Sequence, residues 1–139
     1  MPRSVPVSVR LNQETYRLAR ELARRASRPL SSVVSELAEE ALRVRRHPGV
    51  TFAGPQGDRR ARIEGTGLDV WEVIVVHRAN GEDIERTRQV LEHVTLRQVE
   101  AAIRYSREYP QEIDALIAEN QRSREEWEGL YPHLAKASG

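Results

Sequence analysis

The chain has 139 residues, 39% hydrophobic and 31% charged, with a mean hydropathy of −0.63, which admits one ordinary domain or two very small ones. Its longest apolar run, Val73–Val76, is far short of the ~20 residues of a membrane span, and nothing near Met1 reads as a secretory signal. The absence of cysteine excludes disulfides, thiolate nucleophiles and Cys-based zinc sites, so we expect a cytoplasmic protein with no membrane partner.

The net charge of +1 hides an asymmetry. Residues 1–46 hold ten Arg against five Glu and carry +5, residues 47–109 carry −1, and residues 110–139 carry −3. A basic head and an acidic tail point to two partners of opposite charge.

Residues 5–11 alternate Val5, Val7, Val9 and Leu11 with Pro6, Ser8 and Arg10, the period-2 pattern of a half-buried strand. Asn12 offers an N-cap to a helix carrying Leu18, Ala19, Leu22 and Ala26, which Ser27-Arg28-Pro29 ends. A second helix is expected from Ser31 or Ser32, with Val33, Val34, Leu37, Ala38, Ala41 and Leu42 on one face. This strand-helix-helix unit cannot fold alone, because one strand has no ladder and two short helices bury little.

Glycines between His47 and Thr66 predict a loop or small hairpin with a Gly-Pro-Gln-Gly-Asp turn at 54–58. The β-branched run at 70–76 favours a strand by propensity, but the segment 69–79 closed by Asn80-Gly81 reads better as a buried helix. Glu82-Asp83 opens a further helix with Ile84, Thr87 and Leu91. Thr95-Leu96-Arg97-Gln98 has the form of a capping box for the next, which runs to about Tyr109. Pro110 starts a last helix with Ile113, Leu116, Ile117 and Asn120, and Trp127, Leu130, Tyr131 and Leu134 follow at helical spacing among charged residues. The fold class is therefore mainly α, in three parts. Residues 1–46 form a ribbon-helix unit, 47–109 a trihelical, helix-turn-helix-like domain with a short hairpin, and 110–139 an amphipathic helical tail.

Two copies of residues 5–11 can pair antiparallel, burying Val7, Val9 and Leu11 and presenting Ser8 and Arg10 twice about a two-fold axis. Such a ribbon fits the major groove, where Arg donates to guanine and Ser serves either base. With Val-Ser-Val-Arg-Leu-Asn at 7–12, a basic amphipathic helix and Leu-Ser-Ser-Val-Val-Ser-Glu-Leu at 30–37, the unit resembles the ribbon-helix-helix family of DNA-binding dimers. The resemblance implies that Ser8 and Arg10 read bases, and that Ser31, Ser32 and the Val33 amide anchor a phosphate. Pro6 stands where that family places a third polar reader, which shortens the expected footprint. The same residues would also serve a ribbon that only dimerises.

His-Pro-Gly-Val at 47–50, Arg-Ile-Glu-Gly-Thr-Gly-Leu-Asp-Val-Trp at 62–71, and Val-Thr-Leu at 94–96 leading to Ala-Ala-Ile-Arg-Tyr at 101–105 resemble a divergent domain of unknown function four-three-three. Its usual Gly-Thr-Arg with a following proline is missing here, and its Gly-Gly-Lys-Pro-like loop is altered at 53–57. That likeness, joined to the amino-terminal one, implies an antitoxin of VapB type that represses its own operon and neutralises a PIN-like ribonuclease toxin. The acidic tail with Trp127, Leu130, Tyr131 and Leu134 is the expected toxin-binding segment. Arg97, Gln98, Ala101 and Arg104 would face outward from the second helix-turn-helix, yet the −1 charge of 47–109 favours a packing module there. A stand-alone repressor and a non-DNA assembly module are the other readings.

The four histidines, at 47, 77, 93 and 133, are scattered, no pair has metal-ligand spacing, and Gly65-Thr66-Gly67 is too short to cradle a phosphate. We expect no enzyme, no catalytic residue, no metal and no cofactor.

Overall fold

The structure, a computed structural model, describes residues 4–137; the outermost residues of the expected 1–46 and 110–139 segments lie outside these. The described chain is mainly helical, with one two-stranded antiparallel hairpin. The elements run α1 (Gln13–Arg25), α2 (Leu30–Arg46), β1 (Val50–Ala53), β2 (Arg60–Ile63), α3 (Val70–Ala79), α4 (Ile84–Val90), α5 (Leu96–Glu108), α6 (Pro110–Leu130) and α7 (Pro132–Ala137).

Local chemistry sets most of these boundaries. Asn12 caps α1 by accepting from the Thr15 amide at 2.8 Å, and α1 closes on Ser27, whose φ of 52° is the left-handed turn before Pro29. The expected capping box is formed at α5, where Gln98 N donates to Thr95 Oγ1 and Thr95 N to Gln98 Oε1. The β-branched run at 70–76 is helical, because Val70, Val73 and Ile74 are all buried against the body of the protein, and burial there outweighs propensity.

The expectation that α2 starts at Ser31 or Ser32 is corrected. The helix begins at Leu30 with Pro29 at the N-cap, so both serines lie inside the first turn and neither side chain caps it. Pro29 is extended there, with φ −60° and ψ 143°, which already aims the chain into the helix.

In the hairpin Val50 pairs with Ile63 and Ala53 with Arg60. Its turn needs glycine at 54, where φ is 111° and a Cβ would stand 2.5 Å from the Asp58 carbonyl oxygen. The core lies under this hairpin. Val50, Ala61 and Ile63 meet Val70, Val73 and Ile74 of α3, Val99, Ala102 and Tyr105 of α5, and Ile113 of α6. Trp71 and Ile103 are half-buried at its margin. His77 Nδ1 lies 2.9 Å from Thr87 Oγ1, which donates to the Asp83 carbonyl at 2.8 Å, so the imidazole donates through Nδ1 and ties α3 to α4.

The strand expected at 5–11 is not formed within the chain. These residues carry no regular secondary structure and stand exposed, Val5 at 77%, Val7 at 75% and Val9 at 62%. The physical reason is the missing ladder: among the described residues the two hairpin strands pair with each other, apart from one bridge between Arg62 and Asp69, and residues 5–11 join neither.

Candidate nucleic-acid interface

Of the amino-terminal candidates, Ser8 and Arg10 lie ahead of α1, while Ser31, Ser32 and Val33 lie on α2, which also joins this unit to the rest of the molecule. One face of α2, marked by Glu36, Glu40, Arg43 and His47 at helical spacing, forms an ionic seam with the body. The Arg43 guanidinium donates to Tyr105 Oη and Glu112 Oε1, each at 2.8 Å, and to Glu39 Oε1 at 2.7 Å. It also lies 3.9 Å from the centre of the Tyr109 ring. Tyr105 in turn donates to Glu112 Oε2 at 2.6 Å. Burial, then the hydrogen bond and charge of Glu112, push the Tyr105 hydroxyl far above its ordinary value, and it stays protonated as a donor.

The seam continues on both sides of Arg43. Arg59 reaches across to Glu40 at 2.8 Å and Arg28 pairs with Glu36. Glu108 takes Arg46 at 2.7 Å and His47 Nε2 at 2.6 Å. Residual desolvation pushes the Glu108 carboxyl up, but the hydrogen bonds and charges of Arg46 and His47 outweigh it and hold the group below its ordinary value. A cleft of about 160 Å³ lies along the seam between Glu36, Glu40, Phe52, Arg59 and Glu112. Its charges face one another, so it is a joint between elements.

Beside the seam, α1 and α2 leave apolar surface unpartnered. Only Ala19 and Ala23 of α1 and Val33 of α2 are buried. Leu18, Leu22, Leu37, Leu42 and Val44 remain exposed together with Val5, Val7, Val9 and Leu11. Where exposed apolar side chains such as these form a patch, they mark an interaction surface.

Ser8 and Arg10 stand in the exposed segment, and Arg10 has no ion-pair partner among the described residues. Ser31 and Ser32 occupy the first turn of α2, where backbone N–H groups have no partner within the helix. The Val33 amide differs, because it donates to the Pro29 carbonyl at 3.2 Å and its side chain is fully buried. The free donors at this end are therefore the amides before it.

In the second unit Ala101 is buried beside Gly49, and Gln98 is occupied by the capping box and the Glu64 carbonyl. Of the four residues expected to face outward there, Arg97 and Arg104 do.

The tail divides. Ile113 is fully buried, and Ile117 packs on the core. Beyond residue 117, α6 runs on as a largely exposed helix. Trp127, Leu130, Tyr131 and Leu134 are all exposed, with the Trp127 and Tyr131 rings 5.8 Å apart. The single helical tail expected here is corrected, because α6 ends at Leu130 and Tyr131 leaves the helix before Pro132 opens α7, so the helical spacing of the four is interrupted. Spacing gave no sign of the Arg43–Tyr105–Glu112 junction, whose members stand 62 and 69 positions from Arg43.

Among the described residues no helix is long and apolar enough to cross a membrane, and no group of three His, Asp or Glu is placed to hold a metal ion. No protein-family model, no curated protein and no solved structure matches this chain.

Proposed function

We propose that the protein is a homodimeric, operator-binding antitoxin. Its amino-terminal segments pair into a two-stranded ribbon that reads DNA, and its carboxy-terminal helix captures a PIN-like ribonuclease toxin. The observation that carries this reading is the exposed alternation at 5–11 beside the unpartnered apolar faces of α1 and α2. A second copy satisfies both needs at once, supplying the ladder and covering the leucines. Pairing through Val5, Val7, Val9 and Leu11 turns Ser8 and Arg10 outward, where the groove-facing donors belong. The free amides of Ser31 and Ser32 at the start of α2 suit a phosphate.

The toxin half of the proposal rests on the exposed Trp127, Leu130, Tyr131 and Leu134 on a segment of net −3. An RNA-cleaving partner needs a basic active site, and an acidic helix with aromatic anchors complements it.

The test is a gel shift with DNA from upstream of the reading frame, and capture of the neighbouring gene product on the tagged protein. Arg10→Ala should keep the dimer and lose about 1–3 kcal/mol of sequence-specific affinity. Full specific affinity in that variant overturns the assignment of Arg10.

A further inference from the structure

The face of α1 turned away from both α2 and the free leucines carries Gln13, Arg17, Arg20 and Arg24 at spacings of four, three and four. At 3.6 residues per turn they fall within about 60° of the helix circumference and span about 17 Å. Ala19 and Ala23 mark the side packed on α2, and Leu18 and Leu22 mark the apolar side. The helix thus has three distinct faces, and the basic one has no role in packing.

The charges on that face are not equivalent. Arg17 is paired with Glu14 at 3.1 Å, and the neighbouring Glu21 is taken by Arg25 at 2.7 Å. Arg20 and Arg24 have no carboxylate partner among the described residues. Arg20 instead donates to the Tyr16 hydroxyl at 2.6 Å and lies 5.9 Å from that ring's centre. That contact fixes the guanidinium while leaving its other N–H groups free, and leaves the Tyr16 O–H proton for a further acceptor. Tyr16, Arg20 and Arg24 border one open hollow together with Arg17 and Glu21, and the Glu21 carboxylate is taken by Arg25. Three guanidinium groups thus stand against one already paired carboxylate, a balance that favours an anion.

We infer that Tyr16, Arg20 and Arg24 grip the phosphate backbone of duplex DNA beside the ribbon's footprint, setting affinity without reading sequence. The inference rests on the dimeric DNA-binding reading above. It commits to duplex DNA because the face follows the proposed readers along the chain, Arg10 lying two residues before the N-cap of α1, in a segment 1–46 of net +5. A dimer would present four such arginines in addition to the readers. Each neutralised phosphate contributes about −0.9 to the slope of log K against log salt, so this stripe accounts for roughly 3–4 units of slope per dimer.

The experiment measures binding of the full chain to two duplexes of equal length, the upstream region and a scrambled sequence, between 50 and 200 mM salt. Arg20→Gln with Arg24→Gln should weaken both duplexes alike and flatten the slope by roughly 3–4 units, while the preference between them stays as in wild type. Across that salt range the wild type should then lose roughly a hundredfold more affinity than the variant. Arg20→Lys with Arg24→Lys should keep most of the slope, and Tyr16→Phe should cause a smaller uniform loss. Both arginines are exposed, so an unchanged thermal midpoint separates lost binding from lost folding. An unchanged slope in the double Gln variant overturns the inference while leaving the ribbon reading intact. A wild type with no preference for the upstream duplex overturns the ribbon reading, and if its slope still falls on substitution the stripe stands. Binding of neither duplex overturns both.

Discussion

Arg43 of α2 donates from one guanidinium nitrogen to both Tyr105 Oη and Glu112 Oε1, joining the amino-terminal helices to the hairpin-and-helix body. Its side chain is 17% exposed, and the ring of Tyr109 shields its face. Replacing it by Leu leaves the Glu112 carboxylate without its cation and Tyr105 without a donor. Removing one partner from a largely buried charged pair costs several kcal/mol when fully buried, and about 2–4 kcal/mol is expected at this exposure. Urea unfolding checks it, with Glu39→Gln as control, since that exposed partner contributes under about 1 kcal/mol.

This junction also shows why part of the molecule was not legible. Helix starts, caps and turns are local, so Asn12, Thr95–Gln98 and the turn around Gly54 could be read from neighbouring residues. The 70–79 helix was legible from its length and its Asn80-Gly81 ending, against the propensity of its valines. Arg43 offered no such signal, because its partners come from two other helices and only the fold brings them together. The opposite failure occurred at 5–11, where the pattern of a strand is plain but no strand among the described residues pairs with it. The serines of α2 misled in a third way, since residue preference marks a cap and backbone geometry gave that place to Pro29.

Acid should loosen the same joint at its far end. Glu108 has its carboxyl held below the ordinary value of 4.5 by Arg46 and His47. A carboxyl depressed in the folded state contributes stability that is present above its unfolded value and lost as pH falls through the folded one. Stability should therefore decline as pH drops below about 4.5, and Glu108→Gln should flatten that part of the curve. Denaturant midpoints at pH 3, 4, 5 and 7 would test it, and parallel curves for wild type and variant would contradict it.

Where α6 is cut decides whether the tail can be tested at all. Glu112 closes the Arg43 junction and Ile113 is fully buried, so ending the chain after Tyr109 removes core. That truncation should unfold the body, with loss of a buried Ile alone costing about 2–5 kcal/mol. Ending it after Asn120 removes, among the described residues, turns that carry no buried side chain and should leave the thermal midpoint within about 3 °C, while abolishing capture of the proposed toxin partner. Retained capture by the shorter chain would move the partner surface elsewhere.

The proposed dimer makes the strongest demand on the sequence, because its stability would have to come from surface that one chain leaves open. Val7 and Val9 lie on the alternating face and are exposed in the single chain, so a charge at either position costs the isolated chain almost nothing. In a paired ribbon the same charge is buried against its own symmetry mate, which adds repulsion to desolvation. Val9→Asp should therefore shift the protein to monomer in sedimentation velocity while changing little of its helical signal. Wild-type unfolding midpoints should rise with protein concentration, because association stabilises only the folded chain, and the variant's midpoint should not. A Val9→Asp protein that remains dimeric would place the interface on the leucines of α1 and α2 alone, and residues 5–11 would then have no ladder to join.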